Sequence, residues 1–85
     1  MRLISFTPDC FKDFTNWLTT DRKVYLKIND LITEVFRTPF EGTGKPEALK
    51  HEYKGYWSRR INHEHRLVYK VTESEIIFIS CKHHY

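Results

Sequence analysis

The sequence predicts an α+β domain in which two N-terminal helices pack on a mainly antiparallel, twisted β-sheet. Three observations predict it. Apolar residues recur at helical spacing through the first part of the chain. Residues 39–47 then hold two of the three glycines and two of the three prolines, which marks a loop. Beyond it, short runs rich in β-branched and aromatic residues are separated by turn signals, the pattern of antiparallel strands. At 85 residues the chain is one domain, 1–85, with a core small enough that a partner would add useful stability.

Taken in order, residues 2–6 are short and mostly apolar and read as an opening strand. Thr7-Pro8-Asp9 is a helix start: a hydroxyl N-cap, proline at the first helical position and an acid in the first turn. Phe6 and Phe11 stand at hydrophobic-staple positions around it, and Phe11, Phe14, Trp17 and Leu18 continue at helical spacing. Thr20-Asp21 restarts a second helix, whose stripe is Val24, Ile28, Leu31, Ile32 and Val35. Pro39 disfavours helix at Thr38 and ends it there. After the loop come a short strand over 48–53, strands over 56–62 and 66–71 around a three-residue hairpin loop, and a last strand over 76–82 after the turn 72–75.

Fourteen Lys and Arg against eleven Asp and Glu give a net charge of +3, a mild excess that fits an anionic partner such as nucleic acid without requiring one. Thirteen aromatics enlarge a small core and can also stack on bases. Cys10 and Cys81 make no disulfide framework, and the N-terminus lacks the apolar length of a signal peptide. The longest aliphatic or aromatic run, Ile76-Ile77-Phe78-Ile79, is too short to span a bilayer. A reducing, cytoplasmic setting is expected.

With residues 63–65 as the hairpin loop, Asn62 faces Arg66, Ile61 faces Leu67, Arg60 faces Val68 and Trp57 faces Val71. Opposite residues share a sheet face. Trp57, Ile61, Leu67, Tyr69 and Val71 then face the helices, and Arg60, Asn62, Arg66 and Lys70 face away. The next hairpin pairs Val71 with Ile76, Tyr69 with Phe78 and Arg66 with Cys81. Strict alternation from there puts His83 on the arginine face and His84 on the core side; a one-residue slip exchanges them.

Glu47 and Lys50 flank the junction of loop and sheet. A carboxylate, arginines and a histidine are the groups needed to cleave RNA without a metal. A base takes the 2′-hydroxyl proton, a guanidinium stabilises the phosphorane, and an acid protonates the departing 5′-oxygen. Arginine suits the middle role because its planar fork binds two phosphate oxygens and keeps its charge. Each residue alone has a plainer reading. Arginine and lysine on a sheet are most often solvated charge, and a glutamate in a Gly/Pro loop is most often merely exposed. A terminal His-His-Tyr is often a frayed tail. Cys81, His83 and His84, or His63 with His65, could ligate zinc, although neither set has a structural-zinc spacing. Trp17, Trp57 and Tyr69 serve more readily as core than as stacking platforms, and the cysteines read as small buried hydrophobes. No nucleotide-binding glycine motif, nucleophile elbow or Ser-His-Asp order is present.

Four motifs carry a resemblance. They are Arg37-Thr38-Pro39-Phe40-Glu41-Gly42-Thr43-Gly44-Lys45-Pro46-Glu47-Ala48-Leu49-Lys50, Gly55-Tyr56-Trp57-Ser58-Arg59-Arg60-Ile61, Glu64-His65-Arg66-Leu67-Val68-Tyr69, and the terminal His84-Tyr85. In these, and nearly end to end, the chain resembles the YoeB/Txe toxins of bacterial toxin–antitoxin modules, within the RelE/ParE superfamily. The resemblance implies a RelE-like fold and an endoribonuclease that cuts mRNA in the ribosomal A site, with no metal or cofactor. By motif position it implies Glu47 as general base, His84 as general acid and Arg66 as transition-state clamp. Lys45, Lys50 and Arg60 would hold RNA backbone, with Arg60 also beside the reacting phosphate, and Tyr85 would orient or stack the substrate. The implied partners are a YefM-like antitoxin whose C-terminal segment covers the site, mRNA on the 70S ribosome, and a second copy of the chain. The motif thus favours His84 where strict alternation favours His83. Relatives commonly carry an aromatic such as tyrosine at position 83, so this histidine is a departure. Two rivals stand beside this expectation: a ParE-like inhibitor that binds a protein such as DNA gyrase without chemistry, and a plain RNA-binding module using Arg60, Arg66 and Lys70.

Overall fold

Thr7 and Asp21 set where the two helices begin. The Thr7 hydroxyl accepts the Cys10 amide at 3.3 Å, and the Asp21 carboxylate accepts the Val24 amide at 3.4 Å. The structure, a computed structural model, describes residues 2–83. It consists of β1 (Leu3–Phe6), α1 (Pro8–Thr20), α2 (Arg22–Arg37), β2 (Glu47–Ala48), a 3-10 turn at His51–Tyr53, β3 (Tyr56–Arg60), β4 (Arg66–Val71) and β5 (Glu75–Ser80). The expectations that fall on His84 and Tyr85 lie outside the described residues.

The five strands form one sheet in the order β1-β5-β4-β3-β2, with β1 parallel to β5 and the other pairs antiparallel. The expected stripe of α2 is the centre of the core: Val24, Ile28, Leu31, Ile32 and Val35 are all buried, against Leu67, Tyr69, Ile76 and Phe78 of the sheet. At about 1.5–3 kcal/mol per buried aliphatic side chain, this stripe is the largest single stabilising feature of the helical layer. On α1, Cys10 is buried and Phe14 and Trp17 are partly buried against the core, whereas Phe11 and Leu18 remain exposed. Phe11 still meets Phe6 edge to face at 5.9 Å, the geometry of the staple.

The last strand, expected over 76–82, ends at Ser80, and the sheet differs from expectation in three further places that bear on the site. The first is the strand expected over 48–53. The ladder continues only as far as the Leu49 amide, which donates to Tyr56 O at 2.9 Å; the chain then closes a tight turn, with Tyr53 and Lys54 amides bonding back to Lys50 and His51 carbonyls. The second is the β3–β4 hairpin, where Arg60 faces Arg66, Arg59 faces Leu67 and Trp57 faces Tyr69. Every pair is displaced by two residues from the expected register, so the faces are unchanged while the loop grows to 61–65. Asn62 is the cause: its side-chain oxygen accepts the Glu64 and His65 amides at 2.9 and 2.8 Å, an Asx turn that takes it out of the ladder.

The third is a β-bulge. Tyr69 faces Phe78 as expected, but Val68 faces Ser80, which leaves Ile79 as an extra residue. Alternation along β5 reverses at that point, and the count that assigned His83 to the arginine face fails there.

Candidate active site

Two arginines stand directly opposite each other on the face of the sheet away from the helices, Arg60 on β3 and Arg66 on β4. Like charges so placed repel, and the arrangement is one that an anion between them would relieve. β2 brings the carboxylate. Glu47 pairs with Ser58, which pairs in turn with Val68, so all three share the face of Arg60 and Arg66. Lys45, Glu47, Leu49, Ser58, Arg60, Arg66 and Val68 line one cleft of about 190 Å³. Three cations and one carboxylate on a polar floor suit a phosphodiester with a proton to remove nearby.

Arg66 is held in shape. One terminal nitrogen, Nη1, donates to the carbonyls of Asn62, His63 and His65 at 2.8, 3.2 and 3.1 Å. The five-residue loop thus cradles one prong of the fork, which fixes the guanidinium before any ligand arrives.

Arg59 fixes the loop that leads to Glu47. Its parity places it on the core face, and it is wholly buried. Its guanidinium donates to Glu34 at 2.9 Å, to the Tyr69 hydroxyl at 3.1 Å, and to the carbonyls of Glu41 and Thr43 at 2.8 and 3.2 Å, with a further bond to Thr38 O. Glu34 in turn accepts the Thr43 amide and hydroxyl at 2.5 and 2.7 Å. The Tyr69 hydroxyl donates to Pro39 O at 2.6 Å. The Thr43 hydroxyl and amide, and then Arg59, hold the Glu34 carboxyl below its ordinary value against the opposing effect of burial. Burial holds the Tyr69 phenol above its own ordinary value, with the Arg59 contact opposing it. The loop is finally sewn to β3 by the Arg60 amide, which donates to Gly44 O at 2.6 Å. Gly44 has φ +81°, and a Cβ there would lie 3.0 Å from Arg60 O, so only glycine permits this approach.

The C-terminal segment is tied to the same hairpin. The Trp17 indole Nε1–H donates to Cys81 O at 3.1 Å, the His83 amide donates to His65 Nδ1 at 2.8 Å, and the Arg66 amide donates to His83 O at 2.8 Å. The His83 ring is exposed and lies 5.5 Å from the His65 ring, not in the cleft. Cys10 and Cys81 are buried free thiols; the Cys81 thiol donates to Cys10 O at 3.7 Å, and the side-chain interaction between the two thiols, with burial, pushes the Cys10 thiol up.

Of the residues expected in the site, Lys45, Glu47, Arg60 and Arg66 come together. Lys50 is exposed at the edge of the 3-10 turn, outside the cleft lining. Lys70 lies four residues along β4, over the Tyr56 ring at 5.5 Å, so it does not join the two arginines. Asn62 belongs to the loop. Arg59, and His65 in any role but a zinc ligand beside His63, are what sequence reasoning missed. The signal for Arg59 was present: alternation through Trp57 and Ile61 puts an arginine on the core face, where it must find a partner. His65 gave no comparable signal.

Glu64, His65 and His83 bring three ligand atoms within 4.8 Å, the metal-like grouping found among the described residues. The fit is poor. His65 Nδ1 is already an acceptor for the His83 amide, so the neutral ring carries its proton on Nε2 and has no lone pair there for an ion.

A family model described as the YoeB-like toxin of bacterial type II toxin–antitoxin systems matches residues 6–85. Toxin YoeB of Escherichia coli (strain K12) is 49% identical over 85 residues, covering all of both chains. A YoeB/ParE toxin from Agrobacterium tumefaciens superposes with a TM-score of 0.94 at 47% identity, again over all of both chains. Staphylococcus aureus YoeB has been solved as a dimer, with a TM-score of 0.90 at 48% identity over 99% of this chain and 98% of that one. It has also been solved in a heterotetrameric YoeB–YefM complex, with a TM-score of 0.88 at 49% identity over all of both chains. A fold of two helices on a mixed sheet, a family match across nearly the whole chain and full-length identity near one half agree, and this chain belongs to the YoeB-like toxins of bacterial type II toxin–antitoxin systems.

Proposed function

We propose that this toxin is a ribosome-dependent endoribonuclease that cuts mRNA in the A site and so stops translation. The observation that carries the proposal is the meeting of Glu47 with Arg60 and Arg66 in one cleft, built from β2, β3 and β4. Glu47 takes the proton from the 2′-hydroxyl. The 2′-oxygen attacks the adjacent phosphorus, and Arg66, with Arg60 opposite, stabilises the charge that builds on the phosphorane oxygens. The bond from phosphorus to the 5′-oxygen breaks, and His84 gives that oxygen its proton. A cyclic phosphate, or the 3′-phosphate from its hydrolysis, remains. Lys45 and Lys50 hold RNA backbone, and Tyr85 orients the substrate. His84 and Tyr85 take these roles from the family motif. Their support here is that residue 83 is tied to the backbone of Arg66. The chemistry calls for no metal.

The proposed setting is the cytoplasm, with a YefM-like antitoxin and a second copy as partners, as with the S. aureus relative solved as a dimer and with YefM. Phe11, Leu18 and Leu26 expose apolar surface on the two helices that such partners could cover.

The test is in vitro translation with wild type and His84→Ala, mapping mRNA ends. The wild type produces cleavage at the A-site codon, and His84→Ala cleaves at least roughly a hundredfold more slowly. Equal cleavage by both would remove the assigned acid. DNA damage on induction without new mRNA ends would favour a ParE-like binder. Binding that weakens in Arg66→Ala with no cleavage by any form would favour an RNA-binding module.

A further inference from the structure

We infer that His65 is a positioning residue for the proposed cleavage: its Nδ1 latches the backbone of residue 83, the last residue before the proposed proton donor. The inference rests on the nuclease reading, because that reading puts the proton donor on the tail.

The regular ladder of β5 ends at Ser80, and residues that run on past a last strand ordinarily fray. Here the backbone of 81–83 is held by side chains. Cys81 O accepts the Trp17 indole N–H at 3.1 Å, and the His83 amide donates to His65 Nδ1 at 2.8 Å. Trp17 and His65 also brace each other, ring to ring at 4.8 Å and edge-on at 67°. His65 is only 7% exposed, so its ring has little room to turn away.

A second, independent observation is backbone strain. His83 has φ +61°, a left-handed conformation that side-chain-bearing residues rarely adopt without being held there. Two bonds hold it: the amide to His65 Nδ1 on one side, and the carbonyl accepting the Arg66 amide at 2.8 Å on the other. Both partners are neighbours at the start of β4. The hairpin that supplies Arg66 to the cleft therefore also sets where the chain leaves residue 83.

The latch needs one chemical form of the ring. Nδ1 must offer its lone pair, so the proton sits on Nε2. Glu64 lies on that side, its carboxylate 3.7 Å from Nε2. The bond is thus a demand for an acceptor at the δ position, which separates it from a requirement for a flat ring of that size.

The experiment compares three variants of the full chain in ribosome-dependent cleavage, with exchange of the His83 amide measured in parallel. His65→Phe keeps the ring and loses the acceptor. His65→Gln moves the polar group to the ε position. His65→Asn restores an oxygen near the place of Nδ1. The expected result is that Phe and Gln each lose about tenfold to a hundredfold in rate at saturating ribosomes, with KM nearly unchanged, and exchange the His83 amide faster. Asn recovers most of the rate and of the amide protection. Thermal unfolding checks that every variant is folded. Wild-type cleavage by His65→Phe overturns the inference, and so does an Asn variant as slow and unprotected as Phe, which would make the ring's shape the requirement. His84→Ala is run beside them. If it cleaves as the wild type does, the nuclease reading has failed at the tail and the positioning role falls with it. If it is dead while His65→Phe is fully active, only the positioning role has failed.

Discussion

Arg59→Ala should be the most damaging single substitution outside the aliphatic core. Arg59 is wholly buried, and its guanidinium serves Glu34, the Tyr69 hydroxyl and the carbonyls of Thr38, Glu41 and Thr43. Removing one member of a buried ion pair costs about 3–5 kcal/mol, because the partners are left desolvated and unpaired. Two features moderate this. The Glu34 side chain is 31% exposed and keeps both bonds from Thr43, and the Tyr69 hydroxyl still donates to Pro39 O. The lower end, about 3 kcal/mol, is therefore the expected loss. For a domain of this size that is a fall in Tm on the order of 10–25 °C. Urea unfolding gives the free energy, and amide exchange at Thr43 and Arg60 reports whether loop 38–44 has come loose. Arg59→Lys should recover little of the loss, since one ammonium cannot reach acceptors arrayed around a planar fork. A loss below about 1 kcal/mol for Arg59→Ala, the range of exposed pairs, would refute the claim that this residue staples the loop. Full recovery by Arg59→Lys would refute the claim that fork geometry matters.

Three further outcomes are expected. The Glu34 carboxyl sits below its ordinary value, chiefly through the Thr43 hydroxyl and amide and then Arg59, so it stabilises the fold above its unfolded value, and that contribution drains away as pH falls through the depressed folded value. Stability of Glu34→Gln, measured in urea from neutral pH downward, should show a shallower acid limb than wild type; parallel curves would contradict this. Gly44→Ala forces an L-residue to φ +81° with its Cβ 3.0 Å from Arg60 O, and should cost about 1–2 kcal/mol or more by thermal unfolding. Arg60→Gln removes one of two facing like charges, so at low salt it should leave the fold as stable or more stable by about 0.2–1 kcal/mol while slowing cleavage, and added salt should erase the stability difference.

Much of this molecule was legible in the sequence because its signals are local. The Thr7 and Asp21 caps, the α2 stripe and the stop before Pro39 are each set by residues within a turn or two, and each stands where expected. The faces of β3 and β4 were legible too, since a slip of two residues preserves parity. What failed depends on pairing across the sheet. No residue in Ile76-Ile77-Phe78-Ile79-Ser80 announces that Ile79 will be the extra one, yet that bulge puts Ser80 on the face opposite to the one strict alternation gives it. The Asx turn at Asn62 is local, but a three-residue loop satisfied the same apolar alternation and so concealed it. Arg59 was hidden differently. Its neighbour Arg60 looks identical in the sequence, and only the opposite face of the strand makes one a buried staple and the other a cleft residue.

The two arginines also explain how a cleft of repelling charge can be held open. Arg60 and Arg66 face each other with Lys45 nearby, and a single carboxylate, Glu47, offsets them in the cleft. Side chains free to move would swing apart into water and lose the geometry that an anion needs. The restraint comes through the backbone instead. Arg59 and Gly44 pin the loop before Glu47, the carbonyls of residues 62, 63 and 65 hold one prong of Arg66, and Trp17 with His65 ties down the chain through residue 83. Each tether leaves the cleft-facing groups of Glu47 and Arg60 uncommitted among the described residues. Preorganisation of this kind places the cost of the facing charges in the folding of the domain and not in the binding of the anion. On the proposed reading, an entering anion would meet a fixed backbone frame and one guanidinium, that of Arg66, already held in place.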